Sequence, residues 1–463
     1  MKKVLVVILL IAFLVCFVGA AFAAVSQEPT PEQKAAEAAR QKQLAQITLI
    51  ILAVAAVLFI TEIIPLAVTA MSVPVALAIT KVLDAKAAFS GLSNSNVVLF
   101  AGMFVVGAAL FETGVAKKIG DTVVKSAGTS ETKLALGVMV IAAGLSSVLS
   151  NTGTTAVLLP VAIGIANSAG WNRGRILMPL ALAAGLGGTI TLVGTPPNLA
   201  VNAALSTADI RQFGFFEFGL IGIPLTIAGI IYMLTLGRKL LPDRKYTGND
   251  EDVVAVQEEV KVDPTKQWIS AGILVAVVLV MAFFSKQIPL HVAATAGAVL
   301  CVLTGTIDEK KAYRSIDWTT IFLFAGMLPL ADAMAQTGAG KMIADVVIGI
   351  LGSNASPYLI MSAMYWLTTG LTQFMSNTAS SALLAPICLA IAQGIGASPH
   401  AILMSVAIGA SCAFATPVGT PPNTLVLGPG GFRFMDYVKV GLPLIVICYI
   451  VALILVPIIW PFF

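Results

Sequence analysis

The sequence predicts an all-α polytopic membrane protein built from two copies of one unit, and three observations predict it. Hydrophobic residues make up 58% of the chain and charged residues only 11%. Apolar stretches of membrane-spanning length recur from end to end. A set of short motifs also occurs twice, in the same order and at nearly constant separation.

Charge this sparse excludes an ordinary soluble domain, in which charged residues make up about a quarter of the chain. A spanning helix needs about 20 mainly apolar residues, and such runs are present, whereas a β-barrel would show short alternating strands. The net charge is +4 with no basic block, so nothing points to nucleic acid. Cys16, Cys301, Cys388, Cys412 and Cys448 stand singly in apolar runs, and His291 and His400 lie far apart. That pattern argues against a disulfide framework, a thiolate or histidine metal site, and a histidine-dependent hydrolase.

Predicted spans run over residues 45–61, 65–83 and 95–113. Two short apolar arms then meet near Ser150, an interrupted span covers Ile176–Leu205, and another covers Phe218–Leu236. The polar stretch from Arg238 to Gln267, with Asp250, Glu251 and Asp252, reads as a solvated linker. After it the pattern restarts. Leu99-Phe100-Ala101-Gly102-Met103 returns as Leu323-Phe324-Ala325-Gly326-Met327, a shift of 224. Thr113-Gly114, Lys117 and Asp121 match Thr337-Gly338, Lys341 and Asp345 at that shift, and Ile64-Pro65-Leu66 matches Ile288-Pro289-Leu290. Ser150-Asn151-Thr152 pairs with Ser376-Asn377-Thr378 at 226, and Gly194-Thr195-Pro196-Pro197-Asn198 with Gly419-Thr420-Pro421-Pro422-Asn423 at 225.

The division that follows is an N-terminal span at 1–24, a polar linker at 25–44, a first repeat at 45–237, a linker at 238–267 and a second repeat at 268–463. Lys2-Lys3, the apolar run Val4–Phe22 and the small residues around it resemble a signal peptide, but the run is long enough to remain as an anchor. Five full spans plus one hairpin per repeat would invert the second copy relative to the first. With Lys2 inside, 19 of the 27 lysines and arginines fall on the cytoplasmic side. This asymmetry supports an N-terminus inside and a C-terminus outside. One hairpin then dips in from each face.

Polar clusters such as Leu149-Ser150-Asn151-Thr152-Gly153 inside an apolar run are tolerated only when buried in protein or lining a wet cavity. Ser, Asn and Thr favour helix N-caps, so each Ser-Asn-Thr reads as the tip of a re-entrant hairpin whose second arm begins there. In Gly-Thr-Pro-Pro-Asn the paired prolines break a helix, and a new one starts with Thr as cap and Pro in its first turn. Four half-helix N-termini result. Each carries about half a positive charge and free N–H donors, which suits an anion without Arg or Lys. The freed carbonyls and the Ser and Asn oxygens suit a small hard cation such as Na⁺, one site per repeat. A lone Ser-Asn-Thr would read as helix–helix glue and a lone Pro-Pro as a kink. Both motifs in both halves, in one order, point to a binding site. Glu62, Glu112, Asp317 and Asp332, near predicted span ends, read as paired or snorkelling structural charges. Trp171, Trp268, Trp318 and Trp460 read as an interfacial belt. Gly428-Pro429-Gly430-Gly431 reads as a loop.

In these paired motifs the sequence resembles the divalent anion/sodium symporter (DASS) family, over nearly the whole chain. The resemblance implies about 11 transmembrane helices, including the extra first one. It also implies two inverted repeats, each with a re-entrant hairpin and a broken helix, and a homodimer in which each protomer has a scaffold domain and a transport domain that moves like an elevator. It implies that Ser150, Asn151, Thr152, Thr195, Pro196, Ser376, Asn377, Thr378, Thr420 and Pro421 contact substrate carboxylates. It assigns one sodium site to Ser146, Ser150, Asn151 and Gly194. The second falls on Thr372, Asn377, Gly419 and the carbonyl of Met375. Ser146 and Thr372 each stand about one helical turn before their motif, within reach of the same site. The implied activity is import of a di- or tricarboxylate with about two or more sodium ions across the plasma membrane. A sodium-independent dicarboxylate exchanger and a sulfate-type dianion symporter are the alternatives on the same fold, and the short polar loop favours carboxylates. A channel or an intramembrane enzyme fits less well, because no pore of charged rings and no nucleophile–base pair is in view.

Overall fold

The computed structural model of the protein describes residues 31–116, 118, 130–168, 170–243, 263–351 and 356–463, and every regular element among them is helical. The expected N-terminal span at 1–24, the repeat matches at Lys117 and Asp121, and Asp250–Asp252 lie outside the described residues.

The first half runs α1 (Pro31–Thr61), α2 (Leu66–Ile79), α3 (Ser95–Glu112), α4 (Glu131–Ser146), α5 (Asn151–Ser168), α6 (Gly174–Gly187), α7 (Pro196–Thr207) and α8 (Gly219–Tyr232). The second runs α9 (Pro264–Phe283), α10 (Leu290–Leu303), α11 (Glu309–Ser315), α12 (Trp318–Thr337), α13 (Ala339–Leu351) and α14 (Pro357–Thr372). It continues with α15 (Asn377–Gly394), α16 (Pro399–Ser411), α17 (Pro421–Leu427) and α18 (Phe434–Ile459). Six helices among the described residues are long and apolar enough to cross a bilayer, and four shorter ones are apolar.

Local chemistry sets the boundaries. α2 ends at Ile79, short of the expected 83, because the chain turns at Lys81 with a φ of 54°; Pro65 and Pro289 immediately precede α2 and α10, and these helices hold 14 residues each. At about 1.5 Å per residue that is roughly 21 Å, short of a bilayer core of about 30 Å. Protein must complete their surroundings. Asp263, Asp317 and Ser356 cap α9, α12 and α14 with their side chains. Residues 31–44, expected as a polar linker, are the opening turns of α1. Their Ala-, Gln-, Glu- and Lys-rich sequence has high helix propensity, which carries the helix past the apolar boundary.

Packing repeats as the sequence does. α2 lies along α12 and α3 along α10, so the two halves interlock. Gly102 and Gly326 explain why the Leu-Phe-Ala-Gly-Met motif recurs. A Cβ on Gly102 would stand 2.7 Å from the Ala294 backbone, and one on Gly326 would stand 2.2 Å from the Ala70 carbonyl. Ala70 and Ala294 are themselves 224 apart. The turns repeat too. Thr113 and Thr337 each return a hydroxyl to the carbonyl four residues back, at 2.8 and 2.7 Å, and Gly114 and Gly338 both have φ of 77°. Gly326→Ala is expected to lower the melting temperature of the purified protein, since overpacking a seam costs about 1–3 kcal/mol. An unchanged melting curve would refute this account of the seam.

A second group of helices packs around the two hairpins. α4 pairs with α6, α5 with α6, α14 with α16 and α15 with α16; α7 crosses to α15 and α17 crosses to α5. Both hairpins and both broken helices belong to this group.

Candidate functional site

The two hairpin tips are built alike. α4 ends at Ser146 and α5 starts at Asn151; Ser150 Oγ accepts the Gly153 N–H at 3.0 Å. α14 ends at Thr372 and α15 starts at Asn377; Ser376 Oγ accepts the Ala379 N–H at 3.1 Å. The expectation that Ser-Asn-Thr starts the second arm of each hairpin agrees with these boundaries. The motifs differ after Thr for a steric reason. The Phe111 ring lies 2.6 Å from where a Cβ on Gly153 would stand, so the first tip takes Gly where the second takes Ala379.

Both helix breaks are braced by the motif's own asparagine. Asn198 Nδ2 donates to the carbonyls of Thr191 at 2.8 Å and Gly188 at 3.3 Å. Asn423 Nδ2 donates to those of Thr416 at 2.9 Å and Ala413 at 2.8 Å. Thr191 and Thr416 in turn tie each break to its hairpin by donating to the carbonyls of Ser147 and Gln373. Sequence reasoning gave Asn198 and Asn423 no role, although their place in a duplicated motif was a usable signal.

Thr195 and Thr420 do not cap α7 and α17 with their side chains, contrary to expectation. The reason is in the motif. Pro196-Pro197 and Pro421-Pro422 offer no N–H, and the next donors, on Asn198 and Asn423, go to the backbone carbonyls of Thr195 and Thr420 at 3.2 and 3.1 Å. The Thr195 hydroxyl is left buried with no partner, an expensive state unless a ligand satisfies it. The four helix starts are also not equal, because α17 holds only 7 residues and its dipole is the weakest.

These parts meet around one cavity of about 380 Å³. Its polar wall holds Ser150, Asn151, Thr152, Gly194, Thr195 and Pro196, together with Ser376, Asn377, Thr378, Gly419, Thr420 and Pro421. Facing them is an apolar wall from α3 and α12, including Phe100, Met103, Phe104 and Leu323. The cavity extends to helix ends at Leu66, Ser315 and the exposed Asp317 and Thr319, which marks its opening. Asp317 was expected to be only structural. It caps α12 and accepts the Thr320 hydroxyl at 2.5 Å, and it also stands in this opening.

Behind the cavity lie two matching oxygen cages. Asn151 Oδ1 lies 2.5 Å from Ser146 Oγ, and this end of the amide is 3.2 Å from the carbonyls of Ala184 and Gly194. Asn377 Oδ1 lies 2.7 Å from Thr372 Oγ1, and this end is 3.1 Å from the Gly419 carbonyl and 3.2 Å from that of Ala410. An amide nitrogen turned inward would donate to those carbonyls. An amide oxygen turned inward completes a set of neutral oxygens that a small hard cation satisfies. The structure thus brings Ser146, Asn151 and Gly194 together, and likewise Thr372, Asn377 and Gly419. Ser150 Oγ accepts at the start of α5, and the Met375 side chain is buried. Ala184 and Ala410 were missed because they act through backbone carbonyls.

The charge and belt readings fare differently. Glu112 is ion-paired with Lys311, as expected of a paired charge. Asp332, by contrast, lies inside α12, not at its end. Trp460 is 5% exposed and donates to Glu217 Oε1 at 2.7 Å, so it packs inside the protein instead of joining a belt. Burial pushes the Glu217 carboxyl up, but hydrogen bonds from Arg211, Trp460 and the Gly214 N–H outweigh it and hold the pKa at about 2.

A second observation concerns Thr195. Thr195→Val keeps the shape and removes only the unpartnered hydroxyl, so the fold should hold. Affinity for an anionic ligand should fall by about tenfold or more, as expected for one hydrogen bond to a charged group. Unchanged affinity in an equilibrium binding assay would take Thr195 out of the site.

A family model described as citrate transporter (CitMHS) matches residues 56–409. An uncharacterized transporter of Haemophilus influenzae is 32% identical, over 87% of this chain and 89% of that protein. The sodium-dependent dicarboxylate transporter SdcS of Staphylococcus aureus is 26% identical, over 87% of this chain and 84% of its own length. Among solved structures, Neisseria gonorrhoeae MtrF shares the fold, with a TM-score of 0.56 at 16% identity, covering 80% of this chain and 82% of that one.

Proposed function

The chain belongs to the citrate transporter family, of the DASS type, and from that premise we propose that it imports a di- or tricarboxylate together with sodium ions. One observation carries the reading: both Ser-Asn-Thr tips and both Thr-Pro-Pro starts line a single cavity, with an oxygen cage behind each tip. Carboxylates take the N–H groups at the starts of α5 and α15, the dipoles of the helix starts, and the hydroxyls of Ser150, Thr152, Thr195, Ser376, Thr378 and Thr420. Sodium ions take the cages at Ser146, Asn151, Ala184 and Gly194, and at Thr372, Asn377, Ala410 and Gly419. Asn151 and Asn377 serve both ligands, so anion and cations bind together or poorly.

The division into two helix groups supports an elevator movement. α2, α3, α10 and α12 form the scaffold, and the hairpins with the broken helices form the moving body. The scaffold wall at Phe100, Met103, Phe104 and Leu323 offers no hydrogen bonds to a passing substrate, so sliding breaks none. The two halves are inverted in the plasma membrane, N-terminus inside and C-terminus outside. In that orientation the opening at Asp317 faces the cytoplasm, an inward-open state. The functional unit is a homodimer.

The experiment is uptake of labelled succinate into proteoliposomes with malate, fumarate, citrate, tartrate and sulfate as competitors. Competition by the carboxylates and not by sulfate is expected, because the apolar wall favours a carbon backbone. Competition by sulfate alone would replace the substrate class.

A further inference from the structure

A second cavity, also of about 380 Å³, lies at the start of α3, the end of that helix opposite Phe111 and the opening of the central cavity. It is lined by Ser95 and Asn96 of α3, Asn202 of α7, Gln212 of the loop after α7, and Ser285 and His291 around the α9–α10 turn. We propose that this cavity binds an oxyanion, a carboxylate or phosphate group, at a site distinct from the central one.

The donor balance carries the proposal. Asn96 is 4% exposed, lines the cavity, and its amide nitrogen has no hydrogen-bond partner. Gln212 gives its amide oxygen to Asn202 Nδ2 at 3.3 Å, which leaves its nitrogen to face a ligand. Asn202 Oδ1 is taken by the Phe213 N–H at 2.7 Å, so the cavity loses a further acceptor. Two helices of 18 and 14 residues, α3 and α10, begin at the cavity, and α10 has no side-chain cap on its first N–H groups. These add positive partial charge. No carboxylate side chain lines it, and Lys286 is the chain neighbour of Ser285; Arg211, beside Gln212, is neutralised by Glu217, which also accepts the Gly214 N–H. A site rich in donors, poor in acceptors and without acid selects an anion.

Its position gives the site a consequence. The cavity joins α3 and α10 to the loop that follows α7, whose start lines the central cavity. An anion held there ties the two helix groups together and favours the conformation described, by its differential affinity for that state.

The test uses the full chain carrying Asn151→Ala and Asn377→Ala to silence the central site, in phosphatidylcholine nanodiscs. Succinate and inorganic phosphate are titrated against melting temperature, and a separate arm adds phosphatidylglycerol without free anion. Stabilisation by the free anions identifies a soluble ligand, and stabilisation by phosphatidylglycerol alone identifies a lipid headgroup. In either case Ser285→Asp, a change at an exposed rim position, should weaken the effect by about tenfold through like-charge repulsion. Asn96→Leu should abolish it, and Ser285→Asp decides the matter if that variant does not fold. No stabilisation in any arm, or equal stabilisation of parent and Ser285→Asp, overturns the proposal. Because the central site is silenced, this outcome is independent of the transported substrate.

Discussion

Asn151→Ala and Asn377→Ala are each expected to reduce uptake to background while the protein still purifies as a monodisperse species. Each amide occupies a cage of three other oxygens and also lines the substrate cavity. Truncation therefore removes a ligand from the cation and a contact from the anion at once. Contacts to charged groups contribute about 1.5–3 kcal/mol each, so losing two weakens binding by roughly a hundredfold or more. Folding should survive because the tips keep their Ser150 and Ser376 caps and the breaks keep their Asn198 and Asn423 braces. Radiolabelled uptake beside size-exclusion profiles separates the two effects. Normal uptake by both variants would remove the asparagines from the site.

Replacing sodium by choline is expected to abolish concentrative uptake. Moving one charge against 100 mV costs about 2.3 kcal/mol, so a dianion entering alone would face about twice that. Two sodium ions neutralise it, and a third would let the membrane potential assist. Each tenfold sodium gradient contributes about 1.4 kcal/mol per ion, so two ions support roughly hundredfold accumulation. On the proposed reading, the duplicated cages would supply the minimum of two ions. Uptake that persists in choline and requires internal dicarboxylate would make the protein an exchanger on the same fold.

Much of this was legible in the sequence because the bilayer punishes certain residues. Ser-Asn-Thr inside an apolar run, and Pro-Pro inside a span, have few structural outlets in a membrane, so their recurrence identified hairpin tips and breaks directly. The Leu-Phe-Ala-Gly-Met repeat was visible, but its cause was not, since the Gly102–Ala294 and Gly326–Ala70 approaches depend on which helices meet. The carbonyls of Ala184 and Ala410 carry no side-chain signal at all. The free Thr195 hydroxyl was within reach of sequence reasoning, because two successive prolines leave a capping threonine almost nothing to cap. Trp460 was misread because an aromatic residue near a chain end fits a lipid interface or a buried partner equally well, and only tertiary packing brings Glu217 to it.

The most direct measurement is a cryo-electron microscopy map of the protein with succinate and sodium. The account predicts anion density between residues 150–152 and 376–378, and a cation in each asparagine cage. Anion density elsewhere, with the two motifs closed dry against each other and both amide nitrogens donating into the cages, would contradict it.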